Sequence, residues 1–309
     1  MIAFFAKIFG FVLNFIYEIV QNYGWAIIIF SILIKLAMVP ISIKQQKTMK
    51  KSVKIQAKMK ELQLKYKNNP EKLNQETMEL YKTENMSPFS GCLSAIVQII
   101  LLFAVFYLVR SPLTYMKKVN PDVIEKYTKI SHEYKLSTNS AYPEIEVVRE
   151  LDDIKNLKNK ENIEQTDEKR TDLAEIKDEE LDSMYINMDF FGLNLAQVPT
   201  QSKDWKVYII PILYVLVAVL SMKVTNKTST TKPQVTTENK EEKSLTKPEE
   251  EFDPMAQMNK NMNLMFPVMY LAVALIAPLG LALYWLMNSL LMMVERLALD
   301  KLLKDEEEK

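Results

Sequence analysis

Trp25 to Ile43 reads WAIIIFSILIKLAMVPISI. A run this long and apolar crosses a bilayer core of about 30 Å as a helix. Its one charge, Lys35, lies well inside the run. A cation at that depth costs about 2.5–3.5 kcal/mol on insertion scales, so it is expected to meet water, a partner or a substrate. Lys35 stands about eight residues, or about 12 Å of helix, from the Ile43 end, which strains any snorkelling to the headgroups.

The rest of the chain alternates between apolar and charged blocks. With 39 basic and 39 acidic residues the net charge is zero, which gives nucleic-acid specificity no global electrostatic support. One cysteine, Cys92, and one histidine, His132, exclude a disulfide framework and leave no Cys/His metal site. No GxGxxG, Walker A or GxSxG pattern occurs, so neither an enzyme nor a cofactor is expected.

Residues 1–22 are apolar but carry Lys7, Asn14, Glu18 and Gln21. At 100° per residue these four fall within about 60° of one another, which suits an amphipathic helix in the membrane interface. A signal peptide is the competing reading, against which stands the lack of an A-x-A site or a basic start. The first span, 23–43, is followed by 44–88 with 11 basic and 5 acidic residues. Ile55, Met59, Leu62 and Tyr66 repeat at helical spacing, Asn68-Asn69-Pro70 makes a turn, and Leu73, Thr77 and Leu80 face them from a second arm. This predicts a basic helical hairpin in water, with Lys50, Lys51, Lys54 and Lys58 on its first arm.

The second span is 89–110. Residues 111–204 hold 13 basic and 20 acidic residues, with helices expected after Pro121 and Pro143 and partial disorder near 150–182. The third span, 205–222, starts with Trp205 and Tyr208 as interface anchors. Residues 223–257 read as a flexible loop. Spans four (258–277) and five (278–299) are joined by Ala277-Pro278-Leu279-Gly280, and 300–309 is a charged tail. The basic hairpin belongs in the cytoplasm, which places the N-terminus and the acidic loop outside and the C-terminus inside.

Polar residues recur at membrane depth: Ser31 beside Lys35, Ser94 and Gln98 on span two, Asn288 and Ser289 on span five. They are expected to line a hydrated cavity. The alternative is a structural partner for Lys35, for which Glu295 near the inner end of span five is the nearest carboxylate. Met255, Met258, Met262, Met265 and Met269 put thioethers on one face of span four, which reads as plain packing or as a compliant face for varied helices. Pro40, Pro211 and Pro267 interrupt spans one, three and four.

Three stretches carry a resemblance: YGWAIIIFSILIKLAMVPISIKQQ (23–46), MELYKTENMSPFSGCLSAIVQ (78–98) and APLGLALYWLMNS (277–289). In combination they resemble the YidC/Oxa/Alb family of membrane protein insertases, of the Gram-positive bacterial type. The resemblance implies an all-α polytopic membrane protein of five transmembrane helices around a hydrophilic groove, with a cytoplasmic helical hairpin. The groove holds a cation, usually arginine, and Lys35 occupies that position without the planar bidentate fork. Lipoprotein processing, frequent in such members, is not expected, since no cysteine lies near this N-terminus.

The implied function is insertion and folding of integral membrane proteins in the bacterial cell membrane, alone or with the Sec translocase. Nascent membrane proteins, lipid, and the ribosome or signal-recognition targeting factors are the implied partners. The basic hairpin recruits, and the apolar faces of spans three and five, with Tyr214 and Trp285, guide the substrate helix to lipid. The rival readings are a transporter or channel with Lys35 as an anion site, against which stands the lack of an internal repeat, and a non-catalytic translocase scaffold.

Overall fold

The computed structural model describes residues 2–84, 90–134, 136, 141–159, 175–229 and 268–307. Met255, Met258, Met262, Met265 and Pro267, the first half of span four (258–267) and the 230–257 part of the predicted loop lie outside the described residues.

The described chain is helical apart from one two-stranded hairpin, and the protein is an all-α polytopic membrane protein. Among the described residues four helical segments are long and apolar enough to cross a membrane: Ile2–Val20, Tyr23–Thr48, Trp205–Lys223 and Leu279–Leu302. A shorter apolar helical stretch, Ile99–Arg110, belongs to the second span, whose helix runs Ser90–Arg110.

The N-terminal helix buries Ala6, Phe9, Gly10, Leu13, Ile16 and Tyr17. Gly10 lets the Tyr115 backbone approach this helix closely: a Cβ there would sit 2.0 Å from the carbonyl oxygen of Tyr115. Tyr115 lies in a single π-helical turn, Leu113–Lys117, which ends at Lys118 in the left-handed conformation (φ 54°). Of the predicted polar stripe, Glu18 pairs with Lys117 (3.3 Å). Phe4, Phe11, Phe15 and Ile19 are left exposed on this helix.

The first span and the first hairpin arm form one uninterrupted helix, Tyr23–Lys65, which passes through Pro40. Asn22 caps it, its side-chain oxygen accepting from the Trp25 N–H (3.2 Å). The second arm, Pro70–Thr83, starts with proline at its first position and with Asn69 accepting from the Lys72 N–H (3.1 Å). The arms meet at Met59 and Thr77, two of the residues expected to face each other, and at Tyr66 and Glu76. Ile55 is buried, the Thr77 hydroxyl lies 3.4 Å from the Met59 sulfur, and the Tyr66 hydroxyl donates to Glu76 (3.2 Å).

Pro211 does not interrupt the third span. The helix runs Ile209–Ser229, so Pro211 occupies its first turn, where the missing N–H has no helical acceptor to leave unpaired. A 3-10 turn over Trp205–Tyr208 leads into it. Span four is helical over 268–276, and after Ala277-Pro278 the last helix runs Leu279–Glu307.

In the 111–204 segment, residues 160–174 of the stretch expected to be partly disordered lie outside the described residues, and the described parts are built. Helices Pro121–Glu133 and Pro143–Asn159 start at the two prolines, and a further helix, Asp178–Met184, pairs with the first of them. Lys126 reaches Glu180 (2.6 Å), which also accepts from the Tyr127 hydroxyl (3.0 Å). Burial pushes the Glu144 carboxyl above its usual range, although it accepts from both the backbone N–H (2.9 Å) and the hydroxyl (2.7 Å) of Thr114.

From residue 185 the chain folds back across the helix ends. The Tyr23 N–H donates to the carbonyl of Asn187 (2.9 Å), the Leu279 N–H to Gln197 (2.9 Å) and the Gly280 N–H to Leu195 (2.8 Å). One short stretch of backbone thus holds the starts of both the first and the last span, satisfying N–H groups that have no acceptor within their own helices.

Candidate functional site

The site begins with two parallel helices whose starts are tied together by the same loop. Lys35 lies 12 residues past Tyr23 and Glu295 lies 16 past Leu279, which at helical rise places them about 18 and about 24 Å from those starts. Lys35 Nζ reaches across to Glu295 Oε2 at 3.0 Å, with 18% and 15% of the two side chains exposed. The pairing alternative weighed from the sequence is thus present. It is a partly buried ion pair between the first and last spans. The second carboxylate oxygen, Oε1, is buried and has no hydrogen-bond partner among the described residues.

Of the other predicted residues, Ser31 is buried and its hydroxyl donates to the carbonyl of Ile27 on its own helix (2.7 Å). Ser289 is buried and Asn288 half-buried on the last helix, which contacts the helix that carries Lys35. Ser94 and Gln98 lie on the second-span helix, and their side chains fall outside the described residues.

Tyr214 and Trp285 come together, their ring centres 5.9 Å apart, and Tyr214 also meets Tyr270 at 5.9 Å. Tyr214 is 8% exposed, so these rings form a seam between spans three, four and five and not an open lipid face. On the hairpin, Lys51 is exposed and Lys58 pairs with Glu84, which spans the two arms; the side chains of Lys50 and Lys54 fall outside the described residues.

A second tie escaped the sequence reading. The Gln46 amide donates to Asp300, three turns beyond Lys35. The only hint was position: Gln46 follows Lys35 by 11 residues, on nearly the same helical face.

A 106-residue stretch, 34% of this chain, is 42% identical to the membrane protein insertase YidC of Helicobacter pylori and covers 19% of that protein. A 100-residue stretch, 32% of this chain, is 48% identical to the membrane protein insertase YidC of Chlorobaculum tepidum and covers 17% of it. The membrane protein insertase YidC of Caldanaerobacter subterraneus subsp. tengcongensis is 42% identical over 106 residues, 34% of this chain and 52% of that protein. The chain therefore matches about half the length of the third relative and under a fifth of the first two. The family model described as 60Kd inner membrane protein matches residues 15–307, and the chain belongs to that family, the YidC/Oxa/Alb family of its sequence resemblance.

Proposed function

We propose that the protein inserts integral membrane proteins into the bacterial cell membrane and helps them fold, with the Lys35–Glu295 pair as the polar centre of the path. Family membership and the insertase names of the relatives support the activity. The observation that carries the mechanism is the ion pair itself. A partly buried salt bridge contributes little net stability compared with apolar residues of the same volume. Its placement at membrane depth is better explained by a task.

The task follows from the energetics of insertion. Each central Leu, Ile, Phe or Val of a substrate helix gains about 0.3–0.6 kcal/mol in the bilayer, so the helix enters downhill. The barrier is the polar tail that must cross hydrocarbon. Lys35 offers such a tail a cation, and an acidic side chain of the tail exchanges with Glu295 for it. The ammonium keeps a carboxylate partner throughout the exchange.

In this reading Ser31, Ser94, Gln98, Asn288 and Ser289 line the hydrated groove of a five-span core, and Tyr214 and Trp285 mark the seam along which the substrate helix moves to lipid. Lys50, Lys51, Lys54 and Lys58 make the hairpin a docking point for the ribosome or targeting factors, with the Sec translocase alongside. The N-terminus lies outside and the C-terminus in the cytoplasm. The N-terminal helix turns Phe4, Phe11, Phe15 and Ile19 to lipid.

The test is insertion by purified protein in liposomes of a single-span substrate with an acidic tail, scored by protease protection. Protection by wild type and Lys35→Arg but not by Lys35→Ala is expected. Equal protection by all three removes Lys35 from the mechanism, and none by wild type removes autonomous insertion.

A further inference from the structure

The one β-hairpin of the described residues pairs Asp189 with Asn194 and Phe190 with Leu193, leaving Phe191 and Gly192 as a two-residue turn. Both turn residues have positive φ, 51° and 76°. Turns of that hand favour Asn, Asp or Gly at both places, and a bulky side chain there is strained. Gly192 meets that demand and faces open space. Phe191 does not meet it, and its ring is 82% exposed. A strained phenylalanine presented to water has no physical return, whereas one presented to lipid has.

The neighbours of the turn place it. Phe190 lies so close to Gly24 that a Cβ there would fall 2.2 Å from its ring. Trp25 stacks edge-on against Phe190 (5.8 Å) and meets Phe191 at 6.0 Å, while the two phenylalanines are 4.7 Å apart. The Asn22 amide donates to the carbonyl of Asp189, which fixes the hairpin to the first turn of the first span. Trp25 is itself half exposed, and the stripe that starts with it continues down the same helix through Ile29, Ile32 or Leu33, and Leu36. Ile32, Leu33 and Leu36 are exposed apolar residues on a membrane-spanning helix, a surface that belongs to lipid.

We propose that the Phe190-Phe191 turn is a membrane wedge: with Trp25 it enters the headgroup–acyl boundary of the leaflet opposite the basic hairpin. The occupant of the exposed aromatic surface is the bilayer, because the surface is continuous with the lipid-facing stripe of the first span. Trp25 suits the headgroup side of that boundary and the phenylalanine rings its acyl side, and the wedge anchors the loop that ties Tyr23, Leu279 and Gly280 together.

The experiment places a nitroxide on Phe191→Cys in a Cys92→Ala background, with the full chain in vesicles of phosphatidylethanolamine and phosphatidylglycerol. A second label on Lys203→Cys, exposed in the same loop, is the aqueous reference. Collisions with oxygen should exceed those with a water-soluble nickel chelate at 191, with the ratio reversed at 203. Nickel-dominated collisions at both positions overturn the proposal and leave the ring to a protein partner, and a label at 191 shielded from both reagents overturns it too. If the cysteine variant does not fold, Phe191→Trp in the otherwise native chain reads the same depth. Added emission quenched by bromine-labelled lipid supports the wedge, and added emission that is not quenched overturns it.

Discussion

Lys35 and Glu295 meet at 3.0 Å although 260 residues separate them, one on the first span and the other on the last. Neither side chain is well solvated, so each is the other's main compensation for leaving water. Removing one member should therefore hurt more than replacing both. Lys35→Ala is expected to lower stability by about 1–3 kcal/mol, less than the figure for a fully buried pair because both groups keep some exposure. The exchanged double variant, Lys35→Glu with Glu295→Lys, should recover most of that loss in thermal unfolding. No recovery would mean that the pair is not the source of the effect.

Glu295→Gln tests the competition for Lys35. It removes the resident carboxylate while keeping side-chain volume, so an acidic substrate tail no longer competes for Lys35. Insertion of acidic-tailed substrates should rise or hold, while that of neutral-tailed ones stays level. A loss confined to acidic tails would show that Glu295 assists them.

Gly10 tests the seat of the N-terminal helix. A Cβ would fall 2.0 Å from the Tyr115 carbonyl oxygen, which belongs to backbone and cannot swing away. Gly10→Ala should destabilise the protein by about 1–3 kcal/mol, the usual range for overpacking. Crosslinking between the N-terminal helix and the π turn should fall in the same variant.

Asn69 is expected to hold the turn of the basic hairpin through its bond from the Lys72 N–H. Its replacement by alanine should cost about 1 kcal/mol locally, as for other N-caps. Hydrogen exchange over the second arm should quicken, with the membrane spans unchanged.

Two glutamates of the 111–204 segment pull stability in opposite directions with pH. The hydrogen bond from Lys126 is the main cause holding the Glu180 carboxyl below its usual range. Its contribution is present above about pH 4.3 and is lost as acid titrates it through the lowered value. Glu144 is raised by burial, so its native form favours the proton, and stability declines as pH rises from the ordinary carboxylate range through the raised value. Calorimetric midpoints across pH 3–8 should show Glu180→Gln flattening the acid limb and Glu144→Gln flattening the decline above it.

The parts of this architecture that local pattern dictates were legible in the sequence. The apolar run around Lys35, the 4-3-4 spacing of Ile55, Met59, Leu62 and Tyr66, and the prolines at 70, 121 and 143 each fix an element within a few residues. The parts set by distant backbone were not. Residues 185–202 have no periodicity, and what orders them is bonding to Tyr23, Leu279 and Gly280, positions remote in sequence. The Lys35–Glu295 pair was visible only as a short list of partners, since axial depth depends on where each helix is tied at its start. Pro211 misled for a similar reason: a proline marks a break only if residues before it already belong to the helix.

The uninterrupted Tyr23–Lys65 helix is about 65 Å long at normal rise. One end is pinned by the bonds at Asn22 and Tyr23, and the other carries the hairpin. Pro40, which lacks the donor for a helical hydrogen bond, is a soft joint within it. Lys35 and Gln46 straddle that joint, and both are tethered to the last helix, through Glu295 and Asp300. The two tethers therefore clamp the helix on either side of its weakest point, which keeps the first and last spans in register across Pro40.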